Sequence, residues 1–232
     1  MKIGFLIVAT HKYIRFVQPL LDSMKRHLRI PNGEITMFVF TDQPNVPEGC
    51  VRIQQEHKPF PYPTLMRYHM FHKNKSLYEN FDFLYYLDAD MLFLGPVGDE
   101  ILATRLGVLH PGFFRKSRPD FTYEHRQECL AYVAPHEGTN YFCGGFNGGR
   151  TAPYLEMCKV ISERVDKDHE KGIEAIWHDE SHLNRYYIDN PPTVILNPSY
   201  CYPGDGLAHV LGLAGLPKKI HAIDKNHDEV RN

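Results

Sequence analysis

FLYYLDADMLFL, Phe83 to Leu94, is an apolar run broken by two carboxylates one residue apart. Aromatic and large aliphatic residues over this length read as a buried strand, whose dry middle does not hold ionised carboxylates without partners. Asp88 and Asp90 therefore belong where the strand ends. In an extended chain residues i and i+2 point the same way, so both carboxylates leave on one side with Ala89 turned to the other. Two hard oxygen donors so placed either merely end the strand or hold Mn2+ or Mg2+, with coordination positions left for water and phosphate oxygens.

Around this stretch, 232 residues are enough for one domain with its own core. A hydrophobic share of 43% and a charged share of 23% exclude disordered and fibrous classes, and a net charge of -2 gives no general attraction to nucleic acid or anionic membrane. Cys50, Cys129, Cys143, Cys158 and Cys201 lack metal-ligand spacing and, being odd in number, cannot all pair internally; they read as free thiols of a reducing compartment. The opening MKIGFLIVAT is too short for a signal peptide or a membrane span. The expectation is a soluble, cytoplasmic chain with no nucleic-acid partner and no membrane span.

Ile3 to Ala9 reads as a strand, followed by a polar loop and a helix through Phe16, Val17, Leu20, Leu21, Met24 and Leu28. Ile35 to Phe40 reads as a second strand, ending in Thr41 and Asp42, and Val51 to Gln55 as a third. Parallel strands joined by a helix put their carboxyl ends on one rim, where open sheets bind ligands. That rim would carry His11, Tyr13 and Asp42. Thr64 to Leu77 reads as a helix capped by Thr64, and Asn80 to Leu94 as the central strand. Further on, Val97 to Leu102, Ala152 to Val165 and Trp177 to Tyr187 read as helices, and Gly107 to His110 and Thr193 to Leu196 as short strands. No repeat or linker divides the chain.

Three later stretches carry chemistry. CGGFNGGR, Cys143 to Arg150, has the glycines that let a backbone approach a ligand or adopt positive φ, but not the GxGxxG spacing of a dinucleotide site. WHDESHLNRYY, Trp177 to Tyr187, reads either as a solvated helix with one aromatic edge or as a site in which Glu180 faces a cleft and Trp177 stacks on a sugar ring. Its spacing excludes the HExxH zinc pattern. Lys218, Lys219, Lys225 and Arg231 form a basic tail, solubilising or able to neutralise a diphosphate. His110, ahead of Pro111 and Gly112, stands at a strand end as Asp88 does.

VFTDQP (39–44), YLDADMLF (86–93), HPGF (110–113), YFCGGFNGG (141–149), WHDESHLN (177–184) and DKNHDEVR (224–231) together carry a resemblance. The chain resembles the retaining glycosyltransferases of family 6, which include the blood-group A and B transferases and the alpha-1,3-galactosyltransferase, and it is most similar in form to their compact bacterial or phage members. The resemblance implies an α/β fold of the GT-A type, a Rossmann-like mixed sheet flanked by helices. It also implies transfer of N-acetylgalactosamine or galactose from a UDP-sugar to the 3-hydroxyl of an acceptor galactose, with or without alpha-1,2-fucose, with retention and with Mn2+ or Mg2+. A single catalytic domain, 1–232, would divide into a UDP-binding half to about residue 95, an acceptor-binding and catalytic half to about 215, and a closing tail.

By the same resemblance Asp88 and Asp90 hold the metal and diphosphate. Tyr13, Asp42, Arg67, Ala89 and Asp179 belong to the donor site, and Gly144 and Gly145 lie where the donor's 2-substituent is read. Glycine at 145 is the N-acetylgalactosamine form. Glu180 is the catalytic glutamate, His110, Trp177 and Glu180 meet the acceptor, and Lys225 with Arg231 closes over the diphosphate. Alternatives are a UDP-sugar or glycan-binding module of little activity, a galactose-specific transferase, and a Mn2+-dependent pyrophosphatase of sugar nucleotides.

Overall fold

The computed structural model describes residues 1–226 and Glu229. Three strands, β1 (Lys2–Val8), β2 (Glu34–Thr41) and β3 (Cys50–Gln54), pair in parallel, with β1 and β2 joined through a 3-10 turn and helix α1 (Val17–His27). β4 (Phe83–Leu87) lies parallel to β1 on its other side. Its sequence shows why the apolar run is unbroken. Phe83, Tyr85 and Leu87 enter the core beneath α1, while Leu84 and Tyr86 enter a second core on the opposite face. A strand buried on both faces has no polar side to alternate with.

β4 is followed by a turn, not by more strand. Met91 N–H donates to the carbonyl of Asp88 at 3.3 Å, and the chain resumes as β5 (Met91–Phe93) in a separate two-stranded sheet with β9 (Ile220–Ala222). The single strand read over 80–94 is therefore two strands, and the carboxylates sit in the turn between them. Helix 64–77 also divides. α2 (Tyr62–Leu65) and α3 (Arg67–Lys73) meet at Met66, whose φ of -100° and ψ of 7° leave the helix, and Thr64 lies inside α2 with no capping hydrogen bond.

The glycine-rich stretch proves to be strand β7 (Phe142–Arg150), antiparallel to β4 on one side and to β6 (Arg105–Leu109) on the other. Its glycines answer packing first. A Cβ at Gly148 would meet the Leu84 carbonyl, and Gly149 holds a φ of +145° against the backbone of Thr104. β8 (Val194–Leu196) completes a mixed sheet of order β3-β2-β1-β4-β7-β6-β8 among the described residues. Helices α3, α4 (Thr151–Glu170) and α5 (His178–Asp189) cover its second face. The α5 helix is not solvated: Asp179, Ser181, His182, Leu183, Asn184, Tyr186 and Tyr187 are all buried. A mixed sheet flanked by helices is the GT-A-type, Rossmann-like architecture. No helix among the described residues is long and apolar enough to cross a membrane.

Candidate functional site

A cleft of about 450 Å³ opens at the carboxyl ends of β1 and β4. Tyr13, Arg67, Asp88, Ala89, Asp90, Gly144, Gly145, Trp177, Asp179, Glu180 and Lys225 all line it. The topology explains the gathering. β4 delivers the Asp88–Asp90 turn, its neighbour β7 delivers Gly144 and Gly145, and the first turn of α5 delivers Asp179 and Glu180. Ala89 is almost wholly buried and yet touches the cleft, because a turn does not keep the two-residue alternation of a strand.

Arg67 organises one wall. Its guanidinium is buried, stands 3.3 Å from Asp88 Oδ1 and 3.1 Å from Asp179 Oδ2, and lies 4.3 Å over the Tyr86 ring. Burial opposes its charge, but Asp179 and Asp88 outweigh that and hold its pKa above the ordinary arginine value. The Tyr86 hydroxyl also donates to Asp88 Oδ1. Asp88 thus has one oxygen engaged by the protein and the other directed toward Gly145, where a Cβ would stand 2.8 Å from it.

The floor is acidic. Glu180 accepts a hydrogen bond from the Gly144 N–H at 2.7 Å, and the Tyr141 hydroxyl stands near its carboxyl without completing a second bond. Burial pushes Glu180 up to about 7, against the lowering effect of the Gly144 N–H. Asp179 is also pushed up to about 7 by burial, with Arg67 pulling the other way. These two neighbours therefore exchange protons near neutrality, and a positive charge arriving beside them favours their ionised forms.

The tail reaches the cleft through β9. Ala222 pairs with Met91, and the Ile223 N–H donates to the Asp90 carbonyl at 2.9 Å. That register brings Lys225 onto the Asp90 carboxylate and 5.2 Å from the Tyr13 ring. Beyond it, Glu229 binds Arg15 at 2.8 Å.

Two expected site residues stand elsewhere. Asp42 does not line the cleft; its Oδ1 accepts the His11 N–H at 2.7 Å and so fixes the turn that leads into Tyr13. His110 follows β6 outside the cleft lining, packed on Phe113 and Tyr141, and accepts the Gly112 N–H at its Nδ1. Burial drives it down to about 4. Arg231 lies outside the described residues. Tyr86 is the clearest omission from the sequence reading, and it was within reach: two residues before Asp88, it shares that residue's side of the chain. Thr10, His57 and Phe60 also border the cleft, contributed by loops with no periodic signal, as does His178, the first residue of α5. Cys129, Asp168 and His182 converge as well, able between them to hold a divalent metal, but none lines the cleft.

A family model described as "Glycosyltransferase family 6" matches residues 1–232. The chain belongs to glycosyltransferase family 6. It is similar to histo-blood group ABO system transferase 1 of Rattus norvegicus, 35% identical over 99% of this chain and 68% of the relative. Globoside alpha-1,3-N-acetylgalactosaminyltransferase 1 of Homo sapiens is 32% identical over 86% of this chain and 60% of its own length. The O-antigen biosynthesis glycosyltransferase WbnI of Escherichia coli is 26% identical over 88% of each chain. Membership of family 6 makes sugar transfer the class of reaction to which the chain belongs.

Proposed function

We propose that this chain is a retaining, Mn2+-assisted glycosyltransferase that moves N-acetylgalactosamine, or galactose, from a UDP-sugar to the 3-hydroxyl of an acceptor galactose. The observation that carries the reading is that Glu180, pinned by the Gly144 N–H, shares one cleft with Asp88 and Asp90. A carboxylate on the floor is suited to the positive charge that develops at the anomeric carbon as the donor bond breaks. Either route to retention, double displacement through Glu180 or same-face attack, draws on that negative charge.

Asp88 and Asp90 fit a divalent cation by chemistry: both offer hard carboxylate oxygens to the same cleft, and the protein engages Asp88 through Oδ1 while Oδ2 faces inward. A cation there would supply charge to the departing diphosphate. Lys225, paired with Asp90, is placed to pass to the same phosphates, and Tyr13 beside it gives a ring to the nucleoside end. Arg67 orients Asp88 and Asp179 together. Trp177, 47% exposed at the cleft edge, offers a face to the acceptor sugar, and His110 supports the acceptor side through Tyr141.

Glycine at 145, which by the family resemblance is the N-acetylgalactosamine form, supports that sugar as donor, and at Gly144 a Cβ would come no nearer than 3.5 Å to Glu180. The name of the globoside relative, an alpha-1,3-N-acetylgalactosaminyltransferase, points the same way. We read the chain as one catalytic unit, since the mixed sheet joins strands of both halves. Product analysis with UDP-GalNAc, UDP-Gal and UDP-Glc, against lactose-type acceptors with and without alpha-1,2-fucose, tests the reading. Extension of the acceptor with release of UDP is expected, fastest from UDP-GalNAc. UMP with sugar phosphate, or donor binding without transfer or hydrolysis, would overturn it.

A further inference from the structure

Away from the cleft, loop 118–140 is fastened to the helices by a buried polar cluster. Asp168, near the end of α4, accepts the Leu130 N–H at 2.9 Å and the Cys129 S–H at 3.1 Å. His182, one turn into α5, brings its Nε2 to 3.8 Å from the same Asp168 oxygen, too far for a hydrogen bond. Its Nδ1 has no hydrogen-bond partner either, although the side chain is only 1% exposed. A buried ring nitrogen left without a partner is costly. Alongside runs a void of about 140 Å³ bordered by Asp168, His169, Glu174 and His182.

We propose that Cys129, Asp168 and His182 form a structural zinc site, distinct from the oxygen-donor pair in the cleft. One ligand atom from each residue lies within 4.8 Å of the other two. The two measured separations, 3.1 and 3.8 Å, bracket the spacing of roughly 3.5 Å that adjacent ligand atoms have around tetrahedral zinc with bonds of about 2.0–2.3 Å. Sulfur, imidazole and carboxylate together suit Zn2+, whereas Asp88 and Asp90 present only oxygen, the set for Mn2+ or Mg2+. Charge also closes. On binding, the Cys129 thiol releases its proton to solvent, and a thiolate, a carboxylate, a neutral imidazole and a divalent cation sum to zero, which is tolerable in a buried place. The void leaves room for a water as fourth ligand. Such a clip would join the 118–140 loop, α4 and the helix that carries Asp179 and Glu180.

Cobalt replaces zinc in such sites and reports its ligands. In wild-type protein stripped by a chelator and titrated with Co2+, one of the ions bound should give a thiolate-to-cobalt band in the near ultraviolet and tetrahedral bands in the visible, and both should be lost when Zn2+ is added. The Asp88→Asn/Asp90→Asn double variant should keep these bands, and Cys129→Ser should lose the thiolate band. Zn2+ should raise the thermal midpoint of the wild type by several degrees. Absence of a thiolate band in the wild type would overturn the site, even if Cys129→Ser does not fold. So would bands that vanish in the Asp88→Asn/Asp90→Asn variant.

Discussion

Replacing Arg67 by methionine keeps most of the stem and removes the guanidinium. The charge so lost stands 3.1 Å from Asp179 and 3.3 Å from Asp88, and Asp179 is 1% exposed, with little access to water in compensation. Removing one partner of a buried pair costs about 3–5 kcal/mol. For a chain of this size that corresponds to a fall of roughly 6–20 °C in thermal midpoint, at about 2–4 °C per kcal/mol. The loss depends on pH, and its sign follows from Asp179. Burial already raises this carboxyl to about 7, above its unfolded value, so the stability it allows is intact at low pH and declines as pH climbs through the folded value. Without Arg67 the folded value goes higher still. Variant and wild type therefore diverge above about pH 7, where Asp179 ionises against Arg67 in one and must stay protonated in the other. Urea unfolding at about pH 6 and about pH 8.5 reads the difference, which should be larger at the higher pH. The Arg67→Met/Asp179→Asn double variant should recover much of the loss at the higher pH. A loss below about 1 kcal/mol there, or no recovery in the double variant, would refute the reasoning.

Glu180→Gln should lower transfer by roughly a hundredfold or more with UDP affinity little changed, and calorimetry beside kinetics checks both. In the unsubstituted enzyme, transfer should rise with pH through an apparent value near 7, following ionisation of the half-buried Glu180 and the buried Asp179; a profile flat through neutrality would count against the ionised forms acting. Gly145→Ala should push Asp88 or Met91 aside, because its Cβ would stand 2.8 Å from each, and so weaken Mn2+ binding measured by electron paramagnetic resonance; an unchanged titration would place Asp88 off the cation. Lys225→Ala should tighten Mn2+ binding without nucleotide, by removing the cation that Asp90 now pairs with, while weakening UDP binding. Equal Mn2+ affinity in variant and wild type would show that Lys225 does not compete.

The parallel half of the sheet was legible because its strands are buried on both faces. Phe83 to Leu87, Ile3 to Ile7 and Met37 to Phe40 each send alternate residues into two cores, so the apolar runs are continuous and easily seen. β7 hid for the opposite reason: packing against the Leu84 carbonyl and the Thr104 backbone demands glycine, and glycine reads as a loop. The break at Met66 carries no signal, since the residues on both sides favour helix. In the site, Asp88, Asp90 and Glu180 stood out as carboxylates set into apolar or aromatic surroundings. Their surroundings carry no local signal: Arg67 enters the sequence reading only through the family resemblance, and Tyr141 arrives from an element far away in the chain. Asp42 lies at the strand end where the rim argument put it and His110 at the end of its own strand, but each side chain accepts a backbone N–H, from His11 and from Gly112, away from the cleft lining. Cys129, Asp168 and His182 come from a loop and two helices, and no spacing in the sequence announces their meeting.

We propose that the cleft lined by Glu180, Asp88 and Asp90 is the donor site of a retaining transferase. Its most direct test follows UDP-GalNAc and a lactose-type acceptor with Mn2+ by proton and phosphorus NMR in one tube. One UDP should appear for each new glycosidic bond, the bond should be an alpha linkage to the 3-hydroxyl of galactose, and Glu180→Gln should slow the growth of both signals by roughly a hundredfold or more. A beta-linked product, release of UMP, or full transfer by the Glu180→Gln variant would contradict it.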